Sequence, residues 1–224
     1  DGLGTFGPKQ FITFNTDSPR DIFAIDIDND GDIDVISASH QDNKIAWYEN
    51  LDGLGNFGNQ NIIRTTAFAA SEGKATDLDG DGDPDVVAGC IGDKIAWYEN
   101  LDGQGNFGPE QVISTTIDWA VEVYTADIDG DDDNDIISLS YIDDLIVWFE
   151  NTDGQGTFGS GNIIYSHPEF IRPTAVMPQD FDGDGDIDIA YVSYIQFHTD
   201  FGTLENTNGL GSFTHKQYID TPVR

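Results

Sequence analysis

Cysteine is almost absent from this chain: Cys90 is the single one in 224 residues, so no internal disulfide can form. A bound metal can cross-link a fold instead, so this absence does not indicate a compartment. No apolar run approaches the ~20 residues that a membrane-spanning helix needs, and we expect no membrane insertion. Neither an initiator methionine nor a signal peptide is visible. Because the chain opens on Asp1 inside a repeated motif, we expect a processed, excised or partial piece of a longer protein.

Basic residues are also scarce. Lys and Arg number nine against 42 Asp and Glu, and the formal net charge is −33. Nucleic-acid binding needs basic patches that neutralise phosphates, so we expect no nucleic-acid partner, and anionic membranes are disfavoured for the same reason. The hydrophobic content of 38% is enough for a packed core, which predicts a folded chain of one large or two small domains.

The motifs of common catalytic classes are missing as well. The chain has no Gly-x-Ser-x-Gly elbow, no His-Glu-x-x-His helix and no Gly-x-x-x-x-Gly-Lys loop, and its four histidines are scattered. His198 with Tyr194 could act as an acid/base pair in a polysaccharide lyase, but a polar surface loop is the favoured interpretation. We therefore expect a protein that is not an enzyme.

What the chain does contain is an acidic pattern, Asp-x-Asp-x-Asp-Gly-Asp-x-Asp, repeated four times. The copies begin at Asp26, Asp77, Asp127 and Asp180, which are 51, 50 and 53 residues apart, and Asp132 replaces the glycine of the third copy. Half of all acidic residues lie in these segments. Carboxylates this close repel one another, and a hard cation removes the repulsion. The spacing therefore predicts one cation loop per structural repeat.

The ligand types in each loop favour calcium. In the first copy, Asp26, Asp28 and Asp30 aim alternate carboxylates at one point. Asp32 would offer its backbone carbonyl, and Asp34 would close the shell. Six or seven oxygens at ~2.3–2.6 Å suit calcium better than magnesium, and the lack of Cys and His in the loops disfavours zinc and copper. The corresponding predicted ligands of the other copies are Asp77, Asp79, Asp81, Asp83, Asp85, Asp127, Asp129, Asp131, Asp133, Asp135, Asp180, Asp182, Asp184, Asp186 and Asp188.

We predict about four calcium ions with a structural role. An EF-hand is excluded because position twelve is not Glu and the flanking residues are β-formers. Acidic hairpin turns without metal are the alternative for one copy, but four copies in register disfavour it. At the third site Asp132 must adopt a glycine-like backbone, so we expect this site to be occupied but weaker.

Two further marks recur with the same period. Asp-Gly-x-Gly-x-Phe-Gly occupies residues 1–7, 52–58, 102–108 and 153–159, with a weaker copy at 208–213. An aromatic pair followed by Glu-Asn occupies residues 47–50, 97–100 and 148–151, and residues 203–206 lack the aromatic pair. Repeats of this length are typical of propellers and solenoids.

Each repeat predicts four short strands and no helix. In the first repeat the strands are predicted at residues 21–25, 35–39, 44–49 and 57–65. Apolar residues fall on both faces of these segments, which suits a sheet packed between neighbouring sheets. We therefore predict an all-β, propeller-type array of four-stranded antiparallel blades.

The combined motifs resemble the FG-GAP or VCBS repeat, which occurs in integrin α-subunit propellers and in many secreted bacterial and fungal proteins. The resemblance covers nearly the whole chain, because the Phe-Gly marks and the acidic loops keep their mutual spacing four times. It implies a calcium-stabilised β-propeller, most often of seven blades, that is secreted, extracellular or on the cell surface.

The repeats divide the chain unevenly. A single propeller-type domain or fragment over 1–224 would hold repeats at about 15–65, 66–116, 117–166 and 167–220. Residues 1–14 then contain an extra outer strand, predicted at residues 4–14. Either the ring is small, or the chain is part of a larger ring, or this strand pairs with the sheet edge of another molecule.

The candidate ligand contacts lie where the repeat is broken. Trp119 is unique to its repeat, and Tyr194, Phe197 and His198 lie in an insertion of the fourth. Trp47, Trp97 and Trp148 recur at one position, which predicts packing between blades.

We expect a non-enzymatic adhesion or recognition module whose partners are proteins or glycans at the cell surface or matrix. The alternatives are a subunit of an extracellular fibre that self-associates through the N-terminal strand, and a lectin or lyase-type propeller.

Overall fold

The computed structural model describes residues 7–166, 172–195 and 198–219, and in these residues all regular structure is β-strand. The strands are β1 (Pro19–Ile25), β2 (Asp34–Ser39), β3 (Lys44–Tyr48), β4 (Asn61–Arg64), β5 (Ala70–Thr76), β6 (Asp85–Cys90), β7 (Lys94–Tyr98), β8 (Gln111–Ser114), β9 (Ala120–Ala126), β10 (Asp135–Ser140), β11 (Leu145–Phe149), β12 (Asn162–Ser166), β13 (Pro173–Gln179), β14 (Asp188–Ile195), β15 (His198–Asn206) and β16 (Phe213–Ile219).

Each run of four consecutive strands forms one antiparallel sheet. We name these sheets blade 1 (β1–β4), blade 2 (β5–β8), blade 3 (β9–β12) and blade 4 (β13–β16). The all-β class and the four-stranded blades predicted from the sequence are confirmed. The strand predicted at residues 57–65 is shorter, because Phe57 forms only an isolated bridge with Asn50 before β4 begins.

The core lies between the blades because the central strands are apolar on both faces. Ile36 and Ile45 of blade 1 pack in one buried cluster with Val86 and Tyr98 of blade 2. A second cluster joins blades 2 and 3, and a third joins blades 3 and 4. Each blade therefore depends on its neighbour to cover a hydrophobic face.

The recurring tryptophans hold successive blades together. Trp47, Trp97 and Trp148 are buried. A Cβ atom added to Gly105 of blade 2 would lie 2.2 Å from the Trp47 ring, so this ring packs directly on the glycine of the next blade. Gly156 and Gly211 receive the rings of Trp97 and Trp148 in the same way. The prediction that these residues pack between blades is confirmed.

The extra N-terminal strand is a correction to the prediction. Residues 4–6 lie outside the described residues, and residues 7–14 form no strand. An outer strand needs the third strand of its own blade as a hydrogen-bonding partner, and no strand precedes β1 in the described chain. These residues lie instead beside the β3–β4 turn of blade 1, where Gln10 and Ile12 line a pocket with Leu54 and Phe57.

The insertion in the fourth repeat is also different from the loop that was predicted. Strands β14 and β15 contain eight and nine residues, so the extra residues lengthen a hairpin. Tyr194 pairs with Thr199 and Ile195 with His198 across this hairpin. The β-branched and aromatic residues of the insertion favour extended backbone over an irregular loop.

Candidate metal centre

The four acidic loops occupy equivalent places in the four blades. Each connects the first strand of a blade to the second, and its ninth residue is already the first residue of the second strand. Thus Asp34 opens β2 and Asp85 opens β6. Loops and strands therefore share a residue, and the loop geometry is coupled to the sheet.

The carboxylate at position one folds the loop around itself. Asp26 accepts the backbone N–H groups of Asp30 and Gly31 at 3.2 and 3.0 Å. In the second loop, Asp77 accepts from Gly80 and Gly82 at 2.7 and 3.0 Å. Asp side chains often organise turns by such local bonds. The loop is thus curved by its own backbone hydrogen bonds.

The carboxylate at position nine anchors the loop to the blade. Asp34 accepts the N–H of Ile27 at 3.0 Å and the N–H of Asn50 at 2.7 Å, one on each oxygen. The counterparts Asp85, Asp135 and Asp188 make the same pair of bonds. Each oxygen therefore retains one lone pair for a cation.

Carboxylates of positions one, three and nine converge in three of the loops. Their ligand atoms lie within 4.8 Å of one another in the groups Asp26–Asp28–Asp34, Asp77–Asp79–Asp85 and Asp127–Asp129–Asp135. In the fourth loop the group consists of Asp180, Asp182 and Asp184, at positions one, three and five. The structure thus brings together residues that the sequence pattern predicted to be ligands.

The position-three carboxylates show that these groups fit a cation. Asp28 Oδ1 and Asp129 Oδ1 are buried, and neither has a hydrogen-bond partner in the described chain. Burial and the neighbouring carboxylates raise the pKa of Asp28 and of Asp129. A buried carboxylate oxygen without a partner is unfavourable, and a hard cation would satisfy it.

Burial has a stronger effect at position nine. It raises the pKa of Asp85 and of Asp135 to about 7, although two backbone N–H groups oppose the shift in each. Neighbouring carboxylates in the loop add to the rise. A divalent cation would reverse this balance by favouring the charged form.

Position seven behaves differently from the other predicted ligands. The carboxylates of Asp32, Asp83, Asp133 and Asp186 lie outside the convergent groups. Each of these carboxylates lies against the first glycine of the turn that follows the third strand of its blade. A Cβ atom added to Gly53 would lie 2.3 Å from Asp32 Oδ1. Ligation at this position therefore remains a prediction for the backbone carbonyl alone.

Glu49 is a candidate ligand that the sequence analysis missed. One of its carboxylate oxygens lies within 4.8 Å of those of Asp28 and Asp30. Glu99 and Glu150 occupy the same place and contribute to the raised pKa of Asp79 and Asp129 after burial and a neighbouring loop carboxylate. The signal was present in the sequence, because Glu precedes Asn at this place in all four repeats, after the aromatic pair in three of them.

The backbone of the loops requires two left-handed residues. At position six, φ is +94° for Gly31 and +72° for Asp132, so the aspartate adopts the glycine-like conformation predicted for it. Position four was not singled out from the sequence, yet Asn29 there has φ of +59°. The other copies carry glycine at position four, a pattern that could have revealed this requirement.

A repeated hydrogen bond links each of the first three acidic loops to the next blade. Asn100 of blade 2 donates to the carbonyl of Ile27 in the first loop at 2.9 Å, and its own carbonyl accepts from Gly105. Asn151 and Asn206 donate in the same way to Leu78 and Ile128. Each of these three loops is therefore hydrogen-bonded to the neighbouring blade, and a cation bound in the loop would act on both blades.

Trp119 lies at the opposite end of its strand from the acidic loop. The indole is 41% exposed and stacks on Tyr141 with ring centroids 5.6 Å apart. Its backbone has φ of +55°, as do its counterparts Ser18, Ala69 and Arg172 within a few degrees. The conformation of this position is thus a feature of every blade, and only the side chain is particular to Trp119.

The remaining predicted ligand contacts belong to the insertion of the fourth repeat. Tyr194 and His198 lie in β14 and β15, and only their backbone is described. Phe197 lies outside the described residues. No helix in the described parts of the chain is long and apolar enough to cross a membrane.

These features define a class of protein: an array of propeller blades, each with an acidic loop able to hold a cation. The sequence profile of the FG-GAP-like repeat matches residues 26–88 and again 77–138, which together are just over half of the chain. The protein belongs to the FG-GAP-like repeat family. A search of curated proteins finds no match.

Solved structures share the fold at low sequence identity. One is an Agrocybe aegerita lectin, described for its specific recognition of non-reducing terminal N-acetylglucosamine, with a TM-score of 0.63 and 19% identity over 90% of this chain and 52% of that chain. Two others are BBS1N in complex with ARL6DN, soaked with lead or with mercury. Their TM-scores are 0.50 and 0.52, their identities 12% and 11%, and they match 90% and 92% of this chain and 68% and 70% of their own. This chain therefore spans about half the length of the lectin.

Proposed function

We propose that the protein is a non-enzymatic, calcium-stabilised propeller module that serves recognition or adhesion outside the cell. The observation that carries this proposal is the convergence of carboxylate oxygens at equivalent places in the four blades, with a buried, unpartnered oxygen on Asp28 and on Asp129. Calcium accepts six to eight oxygen ligands in flexible geometry, which suits loops built from Asp and Glu. Its role is to neutralise repulsion and to fix each loop against the next blade.

A structural role follows from where the loops are attached. The carboxylate of Asp34, at position nine, accepts the backbone N–H of Asn50, just after the end of β3. Asn100 of blade 2 donates to the carbonyl of Ile27 and so joins the first loop to the next blade. Metal that orders the loop therefore stabilises two blades together, because metal binding to the folded state alone adds to stability.

Removal of calcium tests this role. We expect EDTA treatment to lower the melting temperature measured by circular dichroism by more than about 10 °C, since several sites release metal together. Calcium should restore the original value, and isothermal titration should count about four sites. Magnesium at the same concentration is the control and should restore less. An unchanged melting curve after verified metal removal would refute the structural-metal role.

A second candidate function is recognition of glycans at the Trp119 surface. The exposed indole stacks on Tyr141, and the guanidinium of Arg172 lies 5.6 Å from the Tyr141 ring centre. The Asp93 carboxylate accepts the backbone N–H of Trp119. An exposed aromatic face beside carboxylates suits the apolar face and the hydroxyls of a sugar. The fold likeness to a lectin adds support, although that protein's ligand is its own.

Glycan binding is tested with an array that includes N-acetylglucosamine-terminated oligosaccharides. We expect Trp119→Ala to abolish any binding at this surface. Phe68→Ala is the matched control, because Phe68 is exposed in the equivalent connection of blade 2. Binding that survives Trp119→Ala would place the site elsewhere. Release of unsaturated sugar products from a polysaccharide would indicate a lyase and contradict the non-enzymatic proposal.

A further inference from the structure

The acidic loops are bonded to one another as well as to the blades. We number them loop 1 (residues 26–34), loop 2 (77–85), loop 3 (127–135) and loop 4 (180–188). The backbone N–H of Asn100 donates to Asp85 of loop 2 at 2.8 Å, and its side-chain amide donates to the Ile27 carbonyl of loop 1 at 2.9 Å. Asn151 and Asn206 join loop 3 to loop 2 and loop 4 to loop 3 in the same way. One asparagine thus contacts a predicted ligand of its own loop and the backbone of the preceding loop.

Loops 1 and 2 share an additional bond. Position four of loop 1 is Asn29, and its side-chain amide donates to Asp83 Oδ1 of loop 2 at 2.8 Å. The backbone N–H of Asp83 donates in turn to Asp81 Oδ1 at 2.9 Å. Asn29 therefore contacts the residue whose carbonyl is a predicted ligand of loop 2 and whose N–H orients another predicted ligand. Loops 2, 3 and 4 carry glycine at position four, which has no side-chain donor.

Loops 2 and 3 share a different additional bond. Position eight of loop 3 is Asn134, whose amide donates to the Asp77 carbonyl at 3.0 Å and to Thr76 Oγ1 at 3.1 Å. Asp77 is the predicted position-one ligand of loop 2. Neither additional bond has a counterpart between loops 3 and 4, because loop 3 has Gly130 at position four and loop 4 has Ile187 at position eight.

These bonds give a physical reason for one calcium ion to assist the binding of the next. Binding orders a loop whose carboxylates repel one another, and this ordering costs conformational entropy. Once loop 2 is ordered, Asp83 and Asp77 offer fixed acceptors to Asn29 and Asn134. Part of the ordering of loops 1 and 3 is then already complete. By thermodynamic linkage, each loop raises the calcium affinity of its neighbour by the same factor.

Charge acts in the opposite direction. Each bound calcium ion adds two positive charges and weakens the attraction of a chain of net charge −33 for the next ion. At an ionic strength of about 0.15 M the Debye length is about 8 Å, so this effect between exposed loops is screened. The sign of the interaction between loops therefore distinguishes coupling through hydrogen bonds from the effect of charge alone.

We propose that loops 1, 2 and 3 bind calcium cooperatively, with Asn29 coupling loop 1 to loop 2 and Asn134 coupling loop 3 to loop 2. Loop 4 is coupled less tightly, because the repeated asparagine joins all three pairs of loops whereas both additional bonds involve loop 2. This coupling rests on the calcium role proposed above. It adds that three blades become rigid together over one narrow range of calcium concentration.

A site-resolved NMR titration tests the coupling in the ¹⁵N-labelled, calcium-free 224-residue chain at an ionic strength of about 0.15 M. The reporter in each loop is the backbone N–H of position six, which donates to the position-one carboxylate at 3.0 or 3.1 Å. These reporters are Gly31, Gly82, Asp132 and Gly185. In the parent, we expect loops 1, 2 and 3 to respond at one calcium midpoint with a Hill coefficient above about 1.5, and loop 4 at a separate midpoint.

Two substitutions should separate the loops in opposite patterns. Asn29→Gly and Asn134→Ile each introduce the residue that other loops carry at the same position, and neither changes the charge. Glycine also suits the φ of +59° at position 29. In Asn29→Gly the midpoint of loop 1 should rise by about 2- to 10-fold, the value of one hydrogen bond, while loops 2 and 3 still respond together. In Asn134→Ile, loop 3 should separate while loops 1 and 2 respond together, so each variant is the control for the other.

Three outcomes overturn the coupling but leave calcium binding to the loops intact. They are independent or negatively cooperative binding in the parent, midpoints that neither variant changes, and equal shifts of all four loops in both variants, which would show a general loss of stability. Position-six signals that never respond to calcium would contradict the proposed calcium role as well as the coupling.

Discussion

At the scale of the residue, aspartate performs three distinct tasks in one nine-residue loop. At position one it curves the backbone, at position three it presents a buried oxygen with no partner, and at position nine it ties the loop to the blade. The carboxylate at position seven packs on a turn glycine instead. The identical side chain is therefore not an identical ligand at every position.

A paired substitution in the second loop tests this division of roles. We expect Asp79→Asn to weaken calcium at that loop by about 10-fold or more, because a position-three oxygen loses its charge. Asp83→Asn is the matched control, since the Asp83 carboxylate lies against Gly103 outside the convergent group. Isothermal titration should count one site fewer in Asp79→Asn and an unchanged number in Asp83→Asn. Equal losses in both variants would show that position seven ligates through its side chain.

Glu122 is a residue whose charge opposes folding at neutral pH. Burial, reinforced by the nearby charge of Glu72, raises the pKa of Glu122 to about 7 from an ordinary value of 4.5. The folded state then holds a proton that the unfolded state releases, so stability falls as pH rises from about 4.5 to 7. Glu122→Gln keeps an oxygen for the N–H of Val176. We expect this variant to exceed the parent at pH 8 by on the order of 1–2 kcal/mol.

Urea unfolding of the calcium-loaded protein between pH 5 and pH 8 measures this difference. The advantage of Glu122→Gln should shrink toward pH 5, where Glu122 is largely protonated. Glu110→Gln serves as the control. Burial opposes ionisation there, but the hydrogen bond and charge of Lys94 prevail and lower the pKa of Glu110. That variant should be less stable than the parent at pH 8, and a pH-independent gain in Glu122→Gln would contradict the assignment.

At the scale of the element, the Asp-Gly-x-Gly turns receive the tryptophan of the preceding blade. Gly156 and Gly55 occupy the same position, with φ of +76° and +87°. An added Cβ at Gly156 would lie 2.3 Å from the Trp97 ring, whereas at Gly55 it meets nothing within 4 Å. The two glycines therefore separate the backbone requirement from the packing requirement.

We expect Gly55→Ala to lower the free energy of unfolding by about 1 kcal/mol, the value for a left-handed residue with a side chain. Gly156→Ala should lower it by about 2–4 kcal/mol, because displacement of Trp97 adds an overpacking penalty. Equilibrium denaturation at a concentration where the chain is monomeric gives both values. Equal losses would mean that the tryptophan ring moves aside without penalty.

The strands were predictable because their evidence is local and repeated. Alternating β-formers bounded by Gly and Asp placed β1 to β3 of the first repeat within about two residues of their observed bounds. The role of Glu49 was not predictable in this way, because it depends on the third strand returning beside the acidic loop. The prediction of an extra strand was wrong in its described part, residues 7–14, because these residues have no partner strand with which to form ladder hydrogen bonds.

At the scale of the whole molecule, we expect charge repulsion to destabilise the metal-free protein. The formal net charge is −33, and the ion pairs of the described residues involve only a few lysines and arginines. Screening weakens repulsion between exposed carboxylates, because the Debye length falls to about 8 Å at physiological ionic strength. Salt should therefore replace part of the effect of calcium.

We expect the melting temperature of the EDTA-treated protein to rise as NaCl increases from about 0.01 M to 1 M, the range over which the Debye length falls about tenfold. The calcium-loaded protein should respond less, since the bound ions already offset part of the charge of each loop. Differential scanning calorimetry on both forms measures the contrast, with sucrose at matched water activity as the control for non-ionic stabilisation. A metal-free protein indifferent to salt would show that specific coordination, and not charge, limits its stability.

The asparagine links between blades have a consequence for how such a chain can change in length over generations. They join equivalent positions of successive repeats, with partners 73, 73 and 78 residues apart. A gene duplication or deletion of one complete repeat therefore brings a new asparagine to an old carbonyl and restores every link. We expect an insertion inside a repeat to be tolerated only where it leaves these links in place. Lineages of this chain should thus gain and lose whole blades more readily than fractions of one.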